Sequence, residues 1–146
     1  MPVSAYSGYY FLDINTHLAI ENNFIIQKGR KAFDLLPFDD SSNFAISEKF
    51  RNLLIDEQVS GCTFFPIHIS SLAQPYYVFI HTSHAGPILN LDAINSYETE
   101  HIDFDKTTWD GSDIFYLKDT TVNVCVHRVK QLIEKHKLTN IRLKLL

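Results

Sequence analysis

Two stretches of the chain decide the fold: residues 32–67, AFDLLPFDDSSNFAISEKFRNLLIDEQVSGCTFFPI, and residues 111–146, GSDIFYLKDTTVNVCVHRVKQLIEKHKLTNIRLKLL. When the first is laid on the second without a gap, at an offset of 79 residues, their apolar positions coincide. Asp34 falls on Asp113, and Gly61 falls on Asn140. Glycine and asparagine most readily adopt the left-handed backbone that follows a helix. The two stretches therefore predict two similar structural units.

Each unit has the pattern of a short strand, a helix, a turn and a second strand. Helical spacing in the first unit is shown by Phe50, Leu53 and Leu54. Ser47 is placed to cap that helix, with Glu48 in its first turn. The second strand of the first unit is predicted at residues 63–70.

The second unit repeats this pattern with a weaker helix start. Its apolar stripe is formed by Val126, Val129, Leu132 and Ile133. Because Val126 stands where the first unit has Ser47, Asn123 is the candidate cap for this helix. Residues 141–145 alternate with period two and predict a half-buried strand.

Three further segments predict strands. Residues 76–81, YYVFIH, are the strongest candidate, and residues 9–14 and 24–26 are weaker ones. Each strand-helix-strand unit suggests a parallel pair, which residues 76–81 can join antiparallel. The pattern predicts an α+β fold: a mixed β-sheet with two strand-helix-strand units, about 32–67 and 111–146, related by a pseudo-repeat. Residues 1–146 contain no linker and read as one domain.

Composition limits the functional classes. The chain has 146 residues and a formal net charge of −4, and its pI is about 5.9. A binder of double-stranded nucleic acid is expected to be basic, so nucleic acid is not a predicted partner. No stretch approaches the roughly 20 apolar residues that span a bilayer, and the first residues lack a secretory signal pattern. With only two cysteines, expected to be buried and reduced, the protein is predicted to be cytoplasmic.

The histidines suggest two kinds of chemistry, and both are disfavoured. His81 and His84 could share a metal ion, but no other ligands stand at a recognisable spacing. His68 and His81, each in a His-x-Ser/Thr pattern, resemble the acid and base of two-histidine phosphoesterases. That family places its two motifs in separate halves of the domain, whereas here they are close in sequence. We therefore predict no catalytic residue, no metal and no cofactor.

Charge is distributed unevenly along the chain. Eight acidic residues lie between Asp92 and Asp119 against two lysines, and the sign reverses after residue 126. One interpretation is ordinary solvated loops. The other is an acidic face that binds a basic partner, with tryptophan as an apolar anchor. The candidate partner-binding residues are Asp39, Asp40, Asp103, Asp105, Trp109, Asp110 and Asp113. A core position for Trp109, and structural roles for Asp34 and Asp113, are alternatives.

Several segments together resemble a family of bacterial immunity-like proteins of polymorphic toxin systems, many of them catalogued as domains of unknown function. The similarity covers roughly residues 30–146. It is carried by packing and turn motifs in order: residues 33–37, FDLLP; 44–50, FAISEKF; 59–67, VSGCTFFPI; 75–80, PYYVFI; 90–96, NLDAINS; and 110–115, DGSDIF. At residues 126–128, VHR, the sequence departs from the serine that the family pattern favours.

The resemblance implies that the protein neutralises a cognate toxin domain by forming a tight complex with it. This non-catalytic role is the function that we predict. Two alternatives stay open: a small two-histidine phosphoesterase-like enzyme and a self-assembling structural module. Neither the identity of the toxin nor the oligomeric state follows from the sequence.

Overall fold

A computed structural model describes residues 9–14, 32–38, 43–69, 72–90, 102–120 and 122–146. The predicted strand at residues 24–26 lies outside this part of the chain. In chain order the elements are β1 (Tyr9–Ile14), β2 (Leu35–Pro37), β3 (Phe44–Ser47), α1 (Glu48–Asp56), β4 (Cys62–Ile67), β5 (Tyr76–His81), β6 (His84–Ala85), a 3₁₀ turn (Lys106–Thr108), β7 (Ile114–Leu117), β8 (Asn123–Val126), α2 (His127–Lys135) and β9 (Ile141–Leu145).

The strands form two sheets. One has four strands in the order β2-β3-β5-β4, and the other has five in the order β6-β7-β8-β1-β9. All neighbouring strands are antiparallel except β6 and β7, which are parallel. The predicted α+β class with mixed strand directions is therefore confirmed, but the strands divide between two sheets.

Corresponding elements of the two sheets begin 79 residues apart, from β2 and β7 through β4 and β9. Their registers also agree: Leu35 lies opposite Ile46 in one sheet, and Ile114 lies opposite Cys125 in the other. In each sheet one further strand lies between the two strands that flank the helix, and the two sheets take this strand from different parts of the chain. β5 follows β4 directly, whereas the equivalent position beside β9 is occupied by β1.

Three details of the predicted units are corrected by the structure. Two strands precede each helix instead of one, and β5 lies between β3 and β4, so the strands flanking α1 do not pair with each other. Strand β4 ends at Ile67, short of residue 70. Asn123 is not a helix cap, because it begins β8 and α2 starts at His127.

The two helix starts differ as their sequences do. The Ser47 side chain accepts a hydrogen bond from Phe50 N, which confirms it as the cap of α1. Val126 occupies the same position before α2 and makes no side-chain cap. A side-chain cap at this position is worth about 1 kcal/mol. Helix α2 therefore depends more on the packing of Val129 and Ile133, which are buried.

One hydrophobic cluster joins the two sheets. It contains residues from α1, β3 and β5 as well as from α2, β1 and β8. Its members include Leu12, Phe44, Phe50, Leu54, Phe79, Cys125, Val129 and Ile133. Two smaller clusters lie outside it, one around Tyr76 and the other around Phe115.

Candidate functional site

The predicted acidic face includes a surface loop, residues 102–113, that hydrogen bonds hold in shape. We call these residues the acidic loop. Leu89 N donates to Asp103 O at 2.8 Å, and Asp103 N donates to Asn90 Oδ1 at 2.9 Å. Asp105 caps the 3₁₀ turn, because its side chain accepts a hydrogen bond from Thr107 N. The hydrogen bonds from the Thr107 hydroxyl and then from its N–H lower the pKa of Asp105.

Asp110 is fixed by two serines. Ser83 Oγ donates to Asp110 Oδ1 at 2.9 Å, and Ser112 N donates to the same oxygen at 3.0 Å. Ser112 Oγ donates in turn to Ser83 Oγ at 2.7 Å. Hydrogen bonds from Ser112, and then from Ser83, lower the pKa of Asp110. Its exposed carboxylate is therefore negatively charged at neutral pH and held in one orientation.

Trp109 has a structural contact on each side. Its Nε1 donates to Ser112 O at 2.9 Å, and its ring packs against Phe115 with centroids 5.8 Å apart. Thr108 Oγ1 accepts from Gly86 N at 2.9 Å and ties the loop to the segment before it. Trp109 is half-buried, so the core alternative holds for part of its ring.

Asp113 makes a junction with Ser60 and Arg128, which we call the Asp113 junction. Ser60 N donates to Asp113 Oδ2 at 2.9 Å, and Asp113 N donates back to Ser60 Oγ at 3.0 Å. Arg128 Nη2 forms a salt bridge with the same carboxylate oxygen at 2.8 Å. These contacts give Asp113 the structural role that was an alternative to partner binding.

The equivalent Asp34 junction is formed by Asp34, Ser47 and Thr139. Thr139 N donates to Asp34 Oδ2 at 2.8 Å, and Asp34 N donates back to Thr139 Oγ1 at 2.9 Å. Ser47 Oγ donates to Asp34 Oδ1 at 2.7 Å. Thus Asp34 of the first unit binds the turn after α2, and Asp113 of the second unit binds the turn after α1.

The helices are tied in the same reciprocal way. Lys49 Nζ of α1 donates to His136 O at the end of α2, at 3.0 Å. Arg128 Nη1 of α2 donates to Glu57 O at the end of α1, at 2.9 Å. Cations at helix C-termini are favourable because they bind carbonyls that have no partner within the helix.

The structure brings only part of the predicted site together. Asp103, Asp105, Trp109, Asp110 and Asp113 belong to one connected stretch around the acidic loop, but Asp113 is engaged in the Asp113 junction. Asp39 and Asp40 lie outside the described residues. The partner-binding role of all seven residues stays a prediction.

The two histidines of the phosphoesterase alternative are separated. His81 lies opposite Cys62 at one end of the β4–β5 hairpin, whereas His68 follows Ile67, which lies opposite Tyr76 at the other end. With about 3.4 Å per residue along a strand, the backbones of His81 and His68 are on the order of 20 Å apart. The two side chains therefore cannot act together on one substrate atom. Among the described residues, no group of three or more His, Cys, Asp or Glu side chains could hold a metal ion.

A pocket of about 450 Å³ lies where the two sheets meet, and the sequence did not indicate it. We call it the His81 pocket. Its walls come from β5, from β7 and β8, and from the turns beside them: Asn43, Val78, Phe79, Ile80, His81, Tyr116, Thr120 and Asn123. These residues come from four separate parts of the chain, so only the pairing of strands brings them together.

His81 is the most perturbed group at this pocket. Its ring packs against Phe79 with centroids 4.8 Å apart and against Tyr116 at 5.7 Å. Burial lowers the pKa of His81 to about 4, so the ring is neutral at pH 7. Its Nε2 atom is buried and has no hydrogen-bond partner among the described residues.

Both cysteines are free thiols. Cys125 is buried, whereas Cys62 is half-buried, so the expectation of two buried cysteines is correct for Cys125 only. Burial raises the pKa of Cys125 to about 12. Burial, with a smaller contribution from the charge of Asp113, raises the pKa of Cys62 to about 12. Thiols with such pKa values are poor nucleophiles at neutral pH.

No protein-family model matches the chain, and a sequence search of curated proteins finds no significant match. The resemblance to immunity-like proteins therefore stays a prediction from the motifs. Neither helix in the described part of the chain has the length and apolar character needed to cross a bilayer.

Proposed function

We propose that this protein is an immunity-type protein that binds and neutralises a cognate bacterial toxin domain in the cytoplasm, without catalysing a reaction. The observation that carries the proposal is the acidic loop. It presents Asp105 and Asp110 as carboxylates whose pKa values are lowered by hydrogen bonds from their neighbours. The ordered resemblance of residues 30–146 to immunity-like proteins supports the same reading.

The loop favours a basic partner for two physical reasons. Complementary charge raises the rate of association and selects against partners of the wrong sign. Because hydrogen bonds already fix both carboxylates, less conformational entropy is lost when a partner binds. In this proposal Asp103, Asp105 and Asp110 contact the toxin. Trp109 and Asp113 are further predicted contacts that also keep the loop in shape. Asp39 and Asp40 are two further contacts that the sequence predicts.

The proposal is tested by affinity capture from a lysate of the source organism, followed by a growth assay. We expect one stoichiometric partner that is toxic when expressed alone and harmless when co-expressed with this protein. Complex formation should weaken as salt rises, since screening acts on exposed charges. If no captured protein is toxic, or if co-expression does not protect, the proposed function is wrong.

The acidic loop itself is tested by two substitutions that remove its charge but keep the side-chain shape, Asp105→Asn with Asp110→Asn. We expect the dissociation constant for the captured toxin to rise at least about tenfold, equivalent to about 1.4 kcal/mol. The matched control is Asp56→Asn with Glu57→Gln, which removes two exposed carboxylates at the end of α1. An equal effect of the control would show that only net charge matters, and the loop would not be the binding surface.

A second candidate, a self-assembling module, is favoured by one observation on β4. This strand is at the edge of its sheet, and Phe65 on it is 60% exposed. Ile80 on the neighbouring strand is 41% exposed and lies on the same face, because Phe65 and Thr63 alternate opposite Val78 and Ile80. Exposed edges with apolar side chains can pair with a second copy. Light scattering that gives a dimer mass for the wild type and a monomer mass for Phe65→Ser would support this candidate.

A further inference from the structure

We propose that the His81 pocket binds a small, neutral, planar nitrogen heterocycle of the kind represented by a nucleobase or nicotinamide. This site is separate from the proposed toxin-binding surface. Its walls belong to β5, β7, β8 and the adjoining turns, and none of them belongs to the acidic loop. The two proposals can therefore fail independently.

The size and position of the pocket fit a small molecule. Ligand pockets typically enclose about 300–1,000 Å³, and this one encloses about 450 Å³. It lies between two sheets that share one hydrophobic core. The strands that form its walls are held by cross-strand pairing, Ala45 with Val78 and Tyr116 with Asn123. Such walls are largely formed before a ligand arrives.

The chemistry of the walls indicates an uncharged ligand. None of the described wall residues is Lys, Arg, Asp or Glu. His81 is neutral at pH 7 because burial lowers its pKa to about 4. A phosphate or carboxylate in this pocket would lose its hydration without gaining a cation, which is unfavourable. Sugar phosphates and amino acids therefore do not suit it.

The polar groups of the pocket match the edge of a heterocycle. Asn43 and Asn123 each carry a carboxamide with two donor hydrogens and an acceptor oxygen, and Thr120 adds a hydroxyl. Neutral histidine also has one donor and one acceptor nitrogen. Nucleobases and nicotinamide present donors and acceptors side by side on a planar ring. A carboxamide can pair with such an edge through two hydrogen bonds.

Aromatic rings supply the remaining part of the site. The Tyr116 ring contacts two imidazoles, that of His81 edge-on with centroids 5.7 Å apart and that of His84 in a tilted arrangement at 5.5 Å. Stacking of a planar base on an aromatic side chain contributes about 1–3 kcal/mol. The buried Nε2 of His81, which has no partner among the described residues, is costly in its present state. Because this atom is buried, the pocket offers a ligand the exposed part of the His81 ring and not this nitrogen.

The test is a titration of the isotope-labelled protein near neutral pH, followed by amide chemical shifts. The probes are adenine, cytosine, uracil and nicotinamide, each added separately. We expect at least one to give saturable shifts confined to the amides around residues 78–81, 116 and 123. The corresponding mononucleotide should bind at least about tenfold more weakly, because its phosphate has no cation in the pocket. Absence of saturable shifts with all four probes, or tighter binding of the mononucleotide, would overturn the proposal.

Two variants localise the site. Tyr116→Leu removes the stacking ring, and Asn43→Ala removes an exposed carboxamide at the pocket wall. Each should weaken binding of the best probe at least about tenfold. Asn52→Ala, an exposed asparagine on α1, is the matched control and should leave binding unchanged. The amide spectrum of each variant establishes that it is folded. Unchanged binding by a folded Asn43→Ala protein, like shifts that map away from the pocket, would contradict the assignment.

Discussion

The Asp34 and Asp113 junctions occupy equivalent positions in the two units but are held together by different interactions. In both, an aspartate binds the turn after the opposite helix, through Thr139 in one and Ser60 in the other. Asp34 is buried, with 8% of its surface exposed, and its second carboxylate oxygen accepts from Ser47. Asp113 is more exposed and is paired with Arg128, whose side chain is 44% exposed.

The difference between the junctions follows from one position in each unit. Where the first unit has Ser47, the second has Val126, which offers no hydroxyl to its aspartate. The cation of Arg128, in the first turn of α2, binds the Asp113 carboxylate instead. The same backbone arrangement is thus stabilised by a buried hydroxyl, that of Ser47, in one unit and by an exposed cation, that of Arg128, in the other. The two junctions should therefore respond differently to mutation and to salt.

The largest effect is expected from Gly61→Ala. A Cβ atom on Gly61 would lie 1.8 Å from Ile114 O, and its φ is +96°. Backbone atoms cannot move aside cheaply, so we expect a loss of about 4 kcal/mol in the free energy of unfolding. The matched control is Gly111→Ala, which has φ +88° but no atom within 4 Å of the added Cβ. It should lose only about 1 kcal/mol, from backbone strain alone.

Urea denaturation of the wild type and both alanine variants measures this comparison. Asn140 stands at the position equivalent to Gly61, with φ +65°, and its side chain donates to Leu35 O at 2.8 Å. Asn140→Gly should therefore cost about 1 kcal/mol, one buried hydrogen bond. Equal losses for Gly61→Ala and Gly111→Ala would show that the close approach to Ile114 is not tight in solution.

The second effect is a dependence of the stability on pH that arises from His81 in β5. His81 of β5 lies opposite Cys62, whereas Ile14 holds the equivalent place in β1, opposite Ile141. The folded-state pKa of His81 is about 4, below its ordinary 6.5, so the unfolded chain takes up the proton first. This contribution to stability is complete above pH 6.5 and is lost as the pH falls towards 4. Its full size is roughly 3 kcal/mol, at 1.36 kcal/mol per pKa unit.

The measurement is the free energy of unfolding from pH 7.5 down to pH 4, for the wild type and His81→Leu. We expect a steeper decline for the wild type, since the variant has no imidazole to protonate at this position. Parallel curves would mean that His81 is protonated in the folded state without penalty.

The third effect compares the junctions directly. Asp34→Ala removes a buried acceptor of three hydrogen bonds, from Thr139 N, Thr139 Oγ1 and Ser47 Oγ, and should cost about 3 kcal/mol. Asp113→Ala also removes an acceptor of three hydrogen bonds, from Ser60 N, Ser60 Oγ and Arg128 Nη2, but at a more exposed site, and should cost about 1–2 kcal/mol. Only the second loss should shrink in high salt, because an exposed pair is screened. Thermal unfolding at low and high salt distinguishes the two, and a salt-dependent loss for Asp34→Ala would contradict the buried assignment.

The smallest effect concerns the reciprocal contacts of the helices. Arg128→Met breaks contacts to Asp113 and to Glu57 O, and should cost about 1 kcal/mol, whereas Lys49→Met breaks only the contact to His136 O and should cost about 0.5 kcal/mol. In a double-mutant cycle, Arg128→Met and Asp113→Ala should be less than additive, because each removes the same salt bridge. Strict additivity would indicate that this pair contributes nothing.

Much of the fold was predictable because its signals are local. Ser47 and the spacing of Phe50, Leu53 and Leu54 identified α1 correctly, and Gly61 and Asn140 were correctly expected to take a left-handed backbone. The cap of α2 was wrong, since Asn123 lies in β8. Asparagine beside a valine-rich run fits a strand as well as a cap, and in the structure Asn123 pairs with Tyr116 of β7.

The candidate site was less predictable. The acidic residues are visible in the sequence as a run of charge. Which of them is exposed and which is engaged in a junction depends on contacts with residues far away in sequence: Asp110 is bound by Ser83, and Asp113 by Ser60. The His81 pocket had no local signal other than a histidine at the end of an apolar strand. Residues that come together only when two sheets pack are far apart in the sequence, so no local pattern identifies them.

Strand β1 sets the order in which the molecule can assemble during synthesis. Among the described strands it pairs with β8 and β9, more than a hundred residues further along. At about 10 residues per second, a ribosome needs on the order of ten seconds to deliver those partners. During that time the four-stranded sheet can already form, because β2 to β5 follow one another in the chain. The backbone groups of β1 stay without these partners until β8 and β9 are made. The first of the described strands to be made is therefore among the last to pair.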